Sequence, residues 1–486
     1  MTDKRFKIAL AAAIIFYVLV RLWAFAGSDN GIDQHHNAFD RALFVVHQWL
    51  PDPRIMPDEV YPPVHFYLLA GALSVWNNLE LAPRALSLLF SLLTLAPFWI
   101  FGRYSAGRNA TVLGIVLLAI YPLHVRLSVV SLDSAPFLFF ALSGLAMAVL
   151  GRQAQSGKAW RYACAGLLLS IAAMTRFEGW LLLPLAPLMT GRRDLRHLPL
   201  LWACAAIGPL LYMVDVMRLY NDPLFFLKAA GSISGYHLQR ISLYVRLLGW
   251  PGVLLSTASG PLLLAIGLGL LLARIERRAL WPAALVGLLF CVFELRTLAG
   301  SFAYNETKYT ALLVIPLLPY GGLAIERIAT LRSGRSGIAS AAAALAIICG
   351  VGLWHVSIDQ QRCRATAELE SLVGWLRTNV EPDQAVLIGV RDQGYILTRS
   401  GLPYDSFLMT SFDEQTGSMD PRTFATSLAD PRATFLLYPF FGGTLDFDPF
   451  LGFKPDTLRA RAHGHLFLLE HRIGHWNIYR ILNDDE

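Results

Sequence analysis

Residues 28–65 read SDNGIDQHHNAFDRALFVVHQWLPDPRIMPDEVYPPVH, and they follow the first apolar run of membrane length, Ile8 to Ala26. This stretch holds Asp29, Asp33, Asp40, Asp52, Asp58 and Glu59 together with His35, His36, His47 and His65, between hydrophobic segments. So many titratable groups beside a membrane-length helix are expected to build a site at a membrane surface. The plainer alternative is a solvated loop whose charges keep it out of lipid. The density of acids and the Tyr61-Pro62-Pro63 punctuation favour an organised loop.

The remainder of the chain places that loop against lipid. Of 486 residues, 55% are hydrophobic and 16% charged, and the mean hydropathy is +0.47. A soluble globule carries about 25% charged residues, so a polytopic membrane protein is expected. Met1 to Lys7 is basic and no small-residue cleavage site precedes the acidic loop, so no cleavable signal peptide is expected. The net charge of +6 is no nucleic-acid signal, because the Arg and Lys residues cluster in short loops between apolar segments, the positive-inside pattern. Cys164, Cys204, Cys291 and Cys349 fall in apolar segments and Cys363 in a polar one, so neither a structural disulfide nor a zinc site is expected.

Hydrophobic periodicity marks helices at 6–26, 84–102, 109–127, 134–150, 161–175, 178–190, 198–218, 250–273, 280–296, 309–329 and 337–356. Lys4, Arg5 and Lys7 put the N-terminus in the cytoplasm, so the loop at 27–83 lies outside. Val64 to Trp76 reaches roughly 20 Å as a helix, short of a 30 Å hydrocarbon core, and reads as a juxtamembrane helix that does not cross. The composition changes near residue 360. A helix is expected at 367–379, strands at 385–390 and 434–438, and a hairpin from 465–471 and 476–482. The expected fold class is therefore a polytopic α-helical membrane protein with about 11 crossings over residues 1–358, followed by a small outer α/β domain at 359–486.

On this topology the polar outliers gather on the outer side. The first loop supplies Asp33, Asp58 and Glu59; the loop after the third helix supplies Arg126 and Asp133; Arg176 and Glu178 mark a turn; and Lys308 with Tyr309 closes the loop at 297–308. Acids there are suited to general-base work or metal ligation, and Arg or Lys to holding an anionic leaving group or lipid head group. There is no Gly-rich phosphate loop, and nucleotide donors are absent outside the cell. A donor that arrives in the membrane, a lipid phosphate, fits best.

Several segments, in order, carry a family resemblance: Asp33-Gln34, YPPVHFYLLAGALSVW (61–76), RALSLLFSLLTLAPFWIFGR (84–103), YPLHVRLSVVSLDSAPFLFFAL (121–142), GLLLSIAAMTRFEGWLLLPLAPL (166–188) and KYTALLVIPLLPYGGLAIER (308–327). The chain resembles the GT-C membrane glycosyltransferases, in the branch of dolichyl-phosphate-mannose protein mannosyltransferases and aminoarabinose-to-lipid A transferases. The resemblance covers roughly residues 6–330. It implies inverting transfer of a sugar from a polyprenyl-phosphate donor to a lipid, glycan or protein acceptor, at the periplasmic face of a bacterial inner membrane.

The resemblance places the catalytic base on Asp33, and Lys308, Tyr309, Arg126 and Arg176 become candidates for the donor phosphate. Asp133 is a second catalytic candidate; Asp58, Glu59, His65 and Glu178 are further site candidates. No cofactor is required by this reading, and a divalent metal, Mg or Mn, is left open. The chain has Gln34 where the family commonly has Glu, and Tyr61 where it commonly has a basic residue or His. The role of the missing acid would pass to Asp58 or Glu59. Each residue has a structural alternative: N-caps for Asp33 and Asp133, a snorkelling anchor for Lys308, a local pair for Arg176 with Glu178. The alternative function is a lipid or anion transporter or flippase, which would favour broken helices and inverted repeats; no repeat is visible.

Overall fold

The computed structural model describes residues 3–28, 62–78, 80–225, 242–298, 307–331, 335–362 and 367–388. Farther on it describes 396, 399–403, 406–409, 412–413, 418–419, 421–439, 457–474 and 476–483. Contacts divide the chain into two compact units: the first takes Met1–Ser28, Glu59–Asn77 and Leu81–Arg362, and the second takes Cys363–Glu486 together with Asp29–Asp58 and Asn78–Glu80. Each unit is built on its own principle.

The first unit is helical. Among the described residues, seven helices are long and apolar enough to cross a membrane, or nine if each of two bent pairs is one span. The chain is a multi-pass membrane protein. The other two expected crossings are shorter than a membrane is thick. Lys158–Ala173 has 16 residues, and the segment expected at 178–190 is a 3-10 turn, Phe177–Leu182, and a five-residue helix, Ala186–Thr190. Pro184 and Pro187 explain the second, since each removes an N–H and crowds the preceding turn. Val64–Val75 forms a 12-residue helix, as its length led one to expect.

The helix expected at 109–127 breaks by 63° into Arg108–Ile120 and Pro122–Val129. Pro122 at the first position of the second piece has no N–H to donate. The last carbonyls of the first piece therefore need other donors, and Arg21 on the N-terminal helix supplies them. Its guanidinium donates to Ala119 O and Leu118 O, both at 2.8 Å, and to His124 Nδ1 at 2.6 Å. The same group lies 3.4 Å from the Tyr17 ring centroid, and Tyr17 Oη bonds Ser91 O at 2.7 Å. A charge at this depth survives because its polar partners and an aromatic face replace water. Arg84 acts similarly on the other end of the bent segment: Nε donates to Val129 O at 2.9 Å and Nη2 to Ser28 O at 2.6 Å. It also bonds Phe25 O. Arg84 thus ties the end of the bent segment to the point where the acid-rich loop begins.

Helices approach closely where side chains are small, as membrane packing favours. A Cβ at Gly322 would stand 2.0 Å from Ala110 O, so only glycine lets Leu318–Leu331 lie against Arg108–Ile120.

The second unit carries a six-stranded sheet in the order β2-β1-β5-β8-β7-β6. Its strands are β1 (Ala385–Ile388), β2 (Phe407–Met409), β5 (Ala433–Pro439), β6 (Arg459–Ala462), β7 (His465–Ile473) and β8 (Trp476–Asn483). Strands β3 (Phe412–Asp413) and β4 (Ser418–Met419) pair separately. β1 runs parallel to β2 and β5; the other pairs are antiparallel, and β7–β8 is the expected hairpin. Helix Ala367–Asn379 matches its expected bounds and packs Leu369, Leu372 and Leu376 on Val386, Ile388, Phe435 and Ile478. On the opposite face Phe424 and Leu428 cover Leu387, Leu436 and Tyr479. Burial on both faces is why Ala-Val-Leu-Ile reads as a continuous apolar run rather than an alternation.

Candidate functional site

Lys158–Ala173 ends at Met174, and the chain turns so that Arg176 N–H bonds Ala172 O at 2.9 Å. The 3-10 turn that follows folds back on the helix end. Gly179 permits this, because a Cβ there would stand 2.6 Å from Ala173 N and Cα. The turn is locked by Trp180 Nε1 donating to Ala173 O at 3.0 Å. Arg176 and Glu178 are then held side by side: Nε and Nη2 of Arg176 donate to Glu178 Oε1 at 3.0 and 2.6 Å.

Arg176 also reaches across to Asp133, with which it forms a direct ion pair, and to Ser134 Oγ at 3.2 Å. Asp133 occupies the N-cap position of Ser134–Gln153, yet its carboxylate makes no capping bond. The capping alternative gives way to an ion pair. Arg176, Asp133 and Glu178 are only 6%, 7% and 7% exposed. Burial alone would lower the Arg176 pKa, but the two carboxylates and Tyr309 raise it well above its ordinary value. Two buried acids share one cation, so this knot carries one net negative charge when all three are ionised.

Neighbouring elements bring further groups to the knot. The Tyr309 ring centroid lies 5.2 Å from Arg176 Cζ. Trp250 stacks on Phe293 at 5.2 Å, and Tyr309 packs on both at 6.2 and 6.1 Å. Lys308 is half-buried, its Nζ 5.9 Å from the Tyr309 centroid. Arg126 is half-buried in the last turn of Pro122–Val129. Arg296, at the end of Trp281–Leu298, lies within electrostatic reach of both Tyr309 and Glu178. Sequence reading passed over Arg296. The signal was there: an arginine at a helix end expected, from the basic loops, to face away from the cytoplasm runs against the positive-inside pattern.

His65 sits in the first turn of Val64–Val75, whose start is pinned by Val64 N–H to Met174 O at 3.0 Å. The side chain is 3% exposed, and neither ring nitrogen has a hydrogen-bond partner among the described residues. Burial, the largest cause, lowers its pKa to about 4; Arg176 lowers it further and Asp133 opposes the shift. The folded imidazole therefore stays neutral while the unfolded chain takes up a proton near 6.5. Stability is full above that value and is lost as pH falls toward 4, by up to about 3 kcal/mol. The melting temperature of detergent-solubilised protein should fall more steeply between pH 6.5 and 4.5 in the parent than in His65→Phe. Parallel slopes would show that His65 is not buried neutral.

Asp33, Asp58 and Glu59 lie outside the described residues. Among the described residues no group of three or more His, Cys, Asp or Glu is placed to hold a metal ion.

Residues 60–217 match the family model described as dolichyl-phosphate-mannose-protein mannosyltransferase, a stretch that includes His65, Arg126, Asp133, Arg176 and Glu178. No curated protein sequence matches. Among solved structures, ArnT from Cupriavidus metallidurans bound to undecaprenyl phosphate is similar with a TM-score of 0.66 and 14% identity, over 99% of this chain and 98% of that one. The Archaeoglobus fulgidus oligosaccharyltransferase tethered to an acceptor peptide follows at 0.58 and 12%, over 90% of this chain and 69% of that one. The oligosaccharyltransferase AglB of the same organism, in complex with an inhibitory peptide and a dolichol-phosphate, stands at 0.55 and 12%, over 90% and 70%. The helical order, the small sheet-bearing second unit and these likenesses agree: the chain has the GT-C fold of these solved structures.

Proposed function

We propose that this chain transfers a sugar from a polyprenyl-phosphate donor to an acceptor on the periplasmic face of the bacterial inner membrane, with inversion at C1. The observation that carries this reading is the buried Asp133–Arg176–Glu178 knot, set beside Tyr309 and Arg296 in a GT-C fold. A buried, charged cluster of this kind suits glycosyl transfer from a lipid phosphate. The chain is a multi-pass membrane enzyme, a glycosyltransferase. ArnT and AglB, to which it is similar, are seen with undecaprenyl phosphate and dolichol-phosphate.

In the reaction Asp33 takes the proton of an acceptor hydroxyl as that oxygen forms its bond to C1. The C1–O bond to phosphate breaks on the opposite face, and its electron pair leaves with the polyprenyl phosphate. Lys308 and Arg296 neutralise the departing phosphate. Arg176 is already committed to two carboxylates, which favours a positioning role for it over phosphate contact. Arg126 stays a candidate for the lipid phosphate, and Asp58 or Glu59 for the second acid of the first loop. The acceptor is a lipid, glycan or protein.

The test is to incubate purified protein with a panel of undecaprenyl-phosphate sugars and follow free undecaprenyl phosphate. Release with at least one donor is expected, and Lys308→Met should lower kcat/KM for it by about tenfold to a hundredfold. One observation favours a transporter instead: two helix pairs are bent, by 63° and 103°. Lipid movement across vesicles without release from any donor would decide for that reading.

A further inference from the structure

Resting on that reading, we propose that the His65 imidazole hydrogen-bonds a hydroxyl of the sugar carried by the donor and so selects sugar-bearing lipid over bare lipid phosphate. Two independent observations meet at this position. His65 is 97% buried by its 3% exposure, and both its ring nitrogens lack a partner among the described residues. A buried polar group in that state is costly, so it is retained where a bond forms in another state of the protein. Its backbone is tied to Met174, two residues before Arg176, and its charge environment is set by Asp133 and Arg176.

The donor and acceptor pattern identifies the ligand chemistry. A neutral imidazole offers one N–H and one lone pair. An ionised phosphate only accepts, so it would leave the lone-pair nitrogen unmatched, whereas neighbouring hydroxyls of a sugar can accept from one ring nitrogen and donate to the other. The knot points the same way. Asp133 and Glu178 share a single guanidinium, and the surplus negative charge repels a phosphate dianion while suiting the O–H donors of a sugar ring. The phosphate is then directed to the cationic side, toward Lys308 and Arg296, and the sugar to the side of His65.

The experiment measures binding of undecaprenyl phosphate and of undecaprenyl-phosphate sugars to the full-length protein and to His65→Phe. The phenyl ring keeps most of the volume and removes both nitrogens, and His65→Gln restores one donor and one acceptor. The expected result is that His65→Phe weakens the preferred sugar-bearing lipid by about tenfold, the loss of one or two neutral hydrogen bonds, with undecaprenyl phosphate unchanged. His65→Gln should recover part of that loss. An equal loss for both lipids, or no loss for either, overturns the proposal. A parent that binds sugar-bearing and bare lipid alike also overturns it, whereas only the absence of sugar release from every donor defeats the glycosyltransferase reading itself. A parent that prefers the sugar, with a His65→Phe variant that prefers it equally, defeats only the assignment of His65.

Discussion

Asp33→Asn is expected to leave a folded, membrane-inserted protein whose sugar transfer falls by at least about a hundredfold, the usual effect of removing a positioned general base. Asparagine keeps the size and hydrogen-bonding capacity of the side chain but cannot take the acceptor proton. Donor binding should persist, since the base acts on the acceptor, so kcat falls and the donor Kd stays near the parent's. The measurement is release of undecaprenyl phosphate under saturating donor, with donor affinity taken separately. Equal turnover in parent and variant would move the base to another acid, with Asp133, Asp58 and Glu59 the residues to test. The structure already narrows that choice. Asp133 is engaged by Arg176 and is 7% exposed, which makes it poorly available to abstract a proton. The first loop starts from a well-held point, because Arg84 binds Ser28 O at 2.6 Å.

The second large effect concerns Arg176. Arg176→Met removes the cation between Asp133 and Glu178 and leaves two carboxylates buried together. Breaking a buried ionic group in this way costs about 3–5 kcal/mol, here with two acids left rather than one. The variant should melt well below the parent in detergent and lose transfer. Neutralising the acids as well, in Arg176→Met with Asp133→Asn and Glu178→Gln, should recover much of the stability and none of the activity. That split separates the two roles: the triple variant has no stranded charge but also no site. A single variant as stable as the parent would mean that the guanidinium does not hold the acids. Arg176→Lys should fall between the two, because an ammonium cannot fork to two carboxylates as a guanidinium does.

The pattern of apolar runs carried most of the architecture, because hydropathy and basic loops act locally and add up along the chain. The helix Ala367–Asn379, the strands at 385–388 and 433–439 and the hairpin 465–483 were all legible from periodicity. So was the gathering of Asp133, Arg176, Glu178 and Tyr309, since residues at the same ends of neighbouring helices must lie near one plane. The breaks were not legible. The 63° bend at Pro122 depends on Arg21, about a hundred residues earlier, finding the freed carbonyls. The segment at 178–190 is irregular because its prolines outweigh its hydrophobicity.

The pairings inside the site depended wholly on tertiary contact. Glu178 lies two residues from Arg176, a separation that composition can suggest, but Asp133 is 43 residues away and its N-cap position argued for a different bond. Arg296 looked like the end of a helix, and His65 like one histidine of four in an acidic stretch. Sequence specifies which side chains can ionise and which of them stand at the ends of apolar helices, because those follow from residue type and from helix length. Which of them become partners, and which buried nitrogen is left without one, follows from how the helix ends pack, and that is a property of distances between segments far apart in the chain.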